Sequence, residues 1–213
     1  MNFLSPQRGV GLIEVLVAVL LLSIAVLGFS ALQMRAITAT DESLVRTKSL
    51  TVVRNLAEVM RAYPEAYVTG SGTSFDDAAP TETGAEPTVQ AIIGSVASDT
   101  VTVNGDVISI LASGNNCLST EIDSSSAPKQ PCSINQLAAR DALMIKKLAA
   151  DEEIGIDVTM CPGTSVQAIQ QQMCVITAWN DTKALLDDSD PQACADSNGV
   201  YKNGSQCLIS EAY

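Results

Sequence analysis

The sequence predicts an α+β protein of 213 residues, in which one long N-terminal helix carries a small head built on antiparallel sheet. Three observations predict it. From Val10 to Leu32 the chain is a long apolar run in which Glu14 is the one ionisable side chain. From Gln33 to Tyr63 there is no proline or glycine, and apolar residues recur at spacings of three and four. Beyond residue 63 the texture changes to short β-type runs, turn residues and six cysteines, all after residue 116.

The first element decides most about function. At about 1.5 Å per residue, Val10–Leu32 is long enough to cross the roughly 30 Å hydrocarbon core of a bilayer. An ionisable group inside such a span marks a functional site when a partner can be named for it. A secretory signal peptide does not fit. Its small-residue cleavage site follows an apolar core of roughly 7–15 residues, whereas here Gly9 precedes a longer core, behind the short leader Met1-Asn2-Phe3-Leu4-Ser5-Pro6-Gln7-Arg8. A plain anchor would need neither the glycine nor the glutamate.

The segment Gly9-Val10-Gly11-Leu12-Ile13-Glu14 resembles the class III signal of type IV pilins and pseudopilins: a short basic leader, glycine, and glutamate fifth in the mature chain. That resemblance implies cleavage by a prepilin peptidase between Gly9 and Val10, N-methylation of the new Val10 terminus, and an assembly role for Glu14. The usual mature start is phenylalanine and threonine, and Val10-Gly11 departs from it. The continuation Val15-Leu16-Val17-Ala18, Leu22-Ser23-Ile24-Ala25-Val26-Leu27-Gly28 and Ala31-Leu32-Gln33 resembles minor pilins of the PilV type more than major pilins.

Cleavage would free an amine one helical turn before Glu14, so the two charges can neutralise each other within one subunit or between neighbours. Their attraction at about 4 Å runs from about 1 kcal/mol in water to a far larger value in a dry interior, which is why lipid favours the pairing. Orientation is not set by flanking charge. Arg8 precedes the span, while Arg35, Arg46, Lys48, Arg54 and Arg61 follow it. The cysteines decide instead, because they suggest an oxidising compartment for the C-terminal part and hence a cytoplasmic leader.

The helix continues as an amphipathic stem. Ser49, Val52, Val53, Leu56, Val59, Met60 and Tyr63 mark one packed face. Glu42 with Arg46 and Arg54 with Glu58 are candidate i,i+4 pairs. Pro64 ends the helix near Ala62, giving a rod of roughly 80 Å, in which Gly28 is the weak point. The expected organisation is a leader over 1–9, a transmembrane part over 10–32, a stem over 33–62 and a head over 63–213.

In the head, Val68–Val89 reads as a loop with little core. Thr100–Val103 and Val107–Leu111 flank Asn104-Gly105-Asp106, an Asn-Gly hairpin signal. Ile134–Ala149 reads as a helix capped by Ser133, with Leu137, Leu143, Met144 and Leu148 on its apolar side. Ile154–Met160 and Cys174–Trp179 read as two antiparallel strands. This helix-strand-strand order, ending in Trp179 before Asn180-Asp181, resembles the PilV head. Six cysteines allow fifteen pairings. Neighbour pairing is favoured: Cys117 with Cys132, Cys161 with Cys174, Cys194 with Cys207. The second pair sits at the ends of the proposed hairpin; the third would close a C-terminal loop, where pilins commonly carry a disulfide.

Charge and residue types narrow the function classes. Through Ala62 there are six basic and four acidic side chains, a balance of +2; from Tyr63 onward there are six and twenty, a balance of −14. So acidic a head disfavours nucleic acid and anionic membrane surfaces, and Lys146-Lys147 reads as a solvated helix face. With no histidine and no Cys-x-x-Cys, triad chemistry and a zinc site are not expected, and no cofactor or metal is anticipated. Asp187-Asp188-Ser189-Asp190 and Asp196 lack EF-hand spacing and read as a solvated acidic loop.

The resulting expectation is a structural assembly protein: a minor pilin of the bacterial inner membrane, with its head in the periplasm and later on the surface pilus. Its expected partners are the prepilin peptidase, other minor pilins and the major pilin. Two other readings stand beside it, a minor pseudopilin of a type II secretion system and a tip adhesin.

Overall fold

The computed structural model describes residues 9, 11–79, 85–110, 132–163 and 172–212. The chain divides into two units, Met1–Val45 and Arg46–Tyr213. Helix α1, Leu12–Ala62, contributes to both.

In the first unit α1 makes no tertiary contact that buries it. Every described residue up to Leu44 is exposed. Gly28 does not interrupt the helix, since a single glycine costs a long helix only about 1 kcal/mol relative to alanine. Glu42 and Arg46 form no pair within ion-pair distance among the described residues, and Glu58 meets Arg61 at 3.2 Å instead of Arg54. Such exposed pairs are worth a few tenths of a kcal/mol, too little to fix long side chains against solvent.

The second unit begins with the packed end of α1. Ser49, Val52, Val53, Leu56, Ala57 and Met60 are buried, while Val59 and Tyr63 are only half-buried. The helix stops where Pro64 follows, with the Tyr63 amide donating to the Val59 carbonyl at 3.2 Å.

Val68–Val89 is not a loop. It holds β1 (Tyr67–Ser71), β2 (Ser74–Asp77), β3 (Glu86–Pro87) and the start of α2 (Thr88–Gly94). Buried Val68, Phe75, Thr88 and Val89 give this region a core of its own. The strands are short and rich in Ser, Thr and Gly, so they show little hydrophobic alternation. Gly70 has φ +129°, and a side chain there would collide with the Ser74 carbonyl across the hairpin.

Strands β4 (Thr100–Val103) and β5 (Asp106–Ser109) form the Asn-Gly hairpin, with Val103 opposite Asp106. Asn104 and Gly105 both have positive φ, 53° and 87°, as a two-residue primed turn requires. The first sheet has the order β3-β1-β2-β4-β5, and its β2–β4 contact is parallel. β6 (Gly155–Met160), β7 (Met173–Ala178) and β10 (Cys207–Glu211) form a second, wholly antiparallel sheet in the order β10-β7-β6. β8 (Lys183–Leu186) and β9 (Ala193–Ala195) pair in parallel. The head is therefore mainly, but not entirely, antiparallel.

Helix α3 (Ile134–Asp151) starts with a complete capping box. The Ser133 hydroxyl accepts from the Gln136 amide at 3.2 Å, and the Ser133 amide donates to Gln136 Oε1 at 2.8 Å. Its buried face differs from the leucine-methionine side expected. Ala138, Ala139, Ala142, Leu143, Ile145 and Ala149 are inside, whereas Met144 and Leu148 are 46% and 43% exposed and Leu137 is half-buried. Alanines let α2 and the sheets approach the α3 backbone closely, where longer side chains would hold them off.

Lys146 is likewise not a solvated residue. Its ammonium donates to the carbonyls of Ile92 and Ile93, at 3.0 and 2.9 Å, and to that of Ser95, closing the C-terminal end of α2. Lys147 does face solvent, between Asp151 at 3.3 Å and Asp99 at 3.8 Å.

Candidate functional site

Gly11 to Met34 contains one ionisable side chain, Glu14. Glu14 lies in the first turn of α1, where its amide donates to the Gly11 carbonyl at 3.0 Å. The unsatisfied amides of a helix N-terminus carry partial positive charge, so a carboxylate is stabilised there. Around it Leu12, Ile13, Leu16, Leu20, Leu21 and Leu27 are all more than half exposed. This is the one helix among the described residues long and apolar enough to cross a membrane, with a mean hydropathy of 2.8 in its best window and none of that window buried.

The polar groups along this stretch are internally satisfied. Ser23 Oγ donates to the Val19 carbonyl at 2.7 Å and Ser30 Oγ to the Val26 carbonyl at 2.9 Å. Thr40 repeats the arrangement at Ala36, at 2.8 Å. Hydroxyls bonded back to the preceding turn present no unmet donor to lipid or to an apolar neighbour. The Glu14 side chain, by contrast, has no partner among the described residues.

Gly9 is exposed, with open space where a side chain would begin. Val10 and the leader residues 1–8 lie outside the described residues, as does the amine that would face Glu14.

A different set of groups fixes the head to the packed end of α1. Ser49 Oγ and Thr177 Oγ1 share a buried hydrogen bond, and Lys48 pairs with Glu152 at the surface. The Tyr63 hydroxyl donates to Asp141 at 2.8 Å. Burial first, and Asp141 second, push the Tyr63 hydroxyl above its ordinary pKa. The Lys146 pKa is lowered by burial, against the favourable field of Asp157, whose own pKa burial raises. Ser49 and Tyr63 were placed on the packed face from sequence, but none of these pairings was legible there, because each partner lies far away along the chain.

Disulfides join Cys161 to Cys174 and Cys194 to Cys207. Cys132 is also disulfide-bonded, and Cys117, its expected partner, lies outside the described residues.

The acidic C-terminal loop is turned onto its own backbone. Asp187 Oδ1 accepts from the Ser189 and Asp190 amides at 2.6 and 2.9 Å. Asp188 holds the Ser197 amide at 3.0 Å, and Asp196 holds the amides of Asn198 and Val200 at 2.9 and 2.8 Å. Hydrogen bonds from Ser189 and Ser197 hold the Asp187 and Asp188 carboxyls below the usual range, and Lys183 does the same for Asp190. Trp179 is buried, its indole N–H without a hydrogen-bond partner among the described residues.

What this arrangement offers is a surface for assembly: an exposed apolar helix with one carboxylate near its start, on a disulfide-bonded head. Two family models match it. Residues 4–30 match the prokaryotic N-terminal methylation motif, and residues 31–83 match the type IV pilin Tt1218. Comparison with characterised proteins and with solved structures returns no match. The methylation motif implies processing by a prepilin peptidase and pilin partners for assembly, and together with the long apolar helix it supports a membrane anchor. The two matches are contiguous over residues 4–83, so the leader, α1 and the start of the head are similar to those of type IV pilins.

Proposed function

We propose that this protein is a minor pilin of the PilV type, which joins other minor pilins through α1 in the inner membrane and primes or caps polymerisation of the major pilin. The peptidase cuts between Gly9 and Val10 and methylates Val10, with the leader in the cytoplasm and the head in the periplasm. Motility, attachment and DNA uptake are then served by the assembled pilus, not by the acidic head acting on nucleic acid. No catalytic group is assigned.

The observation that carries this reading is Glu14, a lone carboxylate on the exposed apolar part of α1. An unpaired carboxylate in lipid is costly, and the freed Val10 amine of the same or a neighbouring subunit relieves that cost. Replacing Glu14→Gln is expected to leave cleavage after Gly9 intact while reducing incorporation into pili. Unchanged incorporation would remove Glu14 from assembly. Deleting the gene should abolish or thin surface pili. Normal piliation with lost protein export would favour the pseudopilin, and normal piliation with lost attachment would favour the tip adhesin.

A further inference from the structure

The chain contains three Asn-Gly pairs, Asn104-Gly105, Asn198-Gly199 and Asn203-Gly204, and their surroundings differ in ways that rank their chemistry. In such a pair the glycine amide nitrogen can attack the asparagine side-chain carbonyl carbon. A C–N bond forms, ammonia leaves, and the five-membered imide is opened by water to aspartate or isoaspartate. No oxidant or reductant is needed. The step requires a free side-chain amide, an unengaged glycine N–H and a turn that can reorient.

Asn104 fails on the free side-chain amide and on the turn that can reorient, although the Gly105 amide has no partner among the described residues. Its Oδ1 accepts from the Asp77 amide at 2.7 Å, its Nδ2 donates to the Asp77 carboxylate, and its own amide donates to the Phe75 carbonyl at 3.0 Å. Asn198 is intermediate. Its side chain is free among the described residues, but the Gly199 amide donates to the Asp196 carbonyl at 3.0 Å. A side chain at Gly199 would press on Pro162, 2.8 Å away, so this turn is closely packed. Asn203 meets all three. It is exposed, and neither its side chain nor the Gly204 amide has a partner among the described residues. Gly204 has φ +79° with open space around it, and a single bond from the Ser205 amide to the Lys202 carbonyl, at 3.1 Å, closes the turn.

We infer that Asn203 is a site of spontaneous imide formation, converting a neutral amide on the C-terminal disulfide loop into a carboxylate or an isoaspartyl link as the protein ages. The new charge arises beside Lys202, whose ammonium donates to the Asp188 carbonyl at 2.8 Å. Ageing therefore adds negative charge to a head that is already acidic.

The test is incubation of the folded full chain in neutral and mildly alkaline buffer. Peptide mapping follows the mass gain of replacing NH2 by OH, and isoaspartyl methyltransferase labelling gives a second readout. Asn203 should convert first and Asn104 last, with rates about tenfold or more apart because Asn104 must first lose its side-chain hydrogen bonds. In denaturant the three rates should converge. Conversion of Asn104 in the folded chain as fast as Asn203 overturns the inference. So does an Asn203 that stays intact after the denatured chain has fully converted. Asn203→Gln, whose larger ring closes far more slowly, should remove most of the methyltransferase label; an undiminished label would also overturn it.

Discussion

The two ends of α1 share one backbone and differ in almost everything else. Up to Leu44 every described side chain is exposed, including Leu20, Leu21 and Leu27. Eight residues after Leu44, Val52 begins a stretch in which Val52, Val53 and Leu56 are at most 4% exposed. The difference teaches that a continuous helix does not specify its own partner. From Val15 to Leu32 the first part carries no charge on any side and its hydroxyls, Ser23 and Ser30, are satisfied by its own carbonyls, so it fits any apolar surroundings. The second part is apolar on one side and carries Ser49, a hydroxyl bonded to Thr177 on β7, so it fits this head.

The sharpest way to probe that contrast is to delete the same atoms at both ends. Leu56→Ala, at a side chain with no exposure, should cost the head about 2–5 kcal/mol. Leu21→Ala should leave the thermal unfolding of the head unchanged. Equal losses in both variants would break the distinction.

Next in size are the disulfides. Removing Cys161–Cys174 by paired serine substitutions should cost about 3 kcal/mol in the chain-entropy description. Its thiols join the ends of the β6–β7 hairpin, thirteen residues apart, so denaturant midpoints should fall for the head alone.

Ser49→Ala leaves the Thr177 hydroxyl in a buried site without its partner on α1, an expected loss of about 1–3 kcal/mol. Adding Thr177→Val should recover most of that loss, and a double variant as unstable as the sum of the singles would show that the bond is incidental.

The smallest effect concerns acid. Asp187, Asp188 and Asp190 are held below their ordinary pKa, so their hydrogen bonds contribute fully above the unfolded carboxyl value of about 3.9 and are lost as pH falls through the lower folded values. Asp157 runs the other way. Its folded pKa is raised by burial, so its charged form disfavours the fold at neutral pH, and Asp157→Asn should hold or slightly raise the melting temperature there. Hydrogen exchange below about pH 4 should loosen the β8–β9 loop before the β6–β7–β10 sheet.

Much of this contrast was legible in the sequence. Glu14 stands out because one carboxylate in an apolar run needs no structure to be noticed, and the Asn104-Gly105 hairpin and the Ser133 cap are local signals read within a few residues. The region from Val68 to Val89 was not legible, since its strands are too short and too rich in Thr, Ser and Gly to alternate visibly. The burial of Lys146 was hidden for a different reason: its carbonyl partners lie more than fifty residues away.

By itself, then, the sequence determined the leader-glycine-glutamate segment, the length of α1 and the positions of its principal turns, because these depend on periodicity and backbone preference within one or two turns of chain. Only the tertiary structure decided that alanines rather than Leu137, Met144 and Leu148 form the inner face of α3. It alone paired β2 with β4 and β8 with β9 in parallel, and set Thr177 against Ser49. The physical reason is that packing selects the face allowing the closest approach of distant elements, and that distance is a property of the assembled core, not of any one segment.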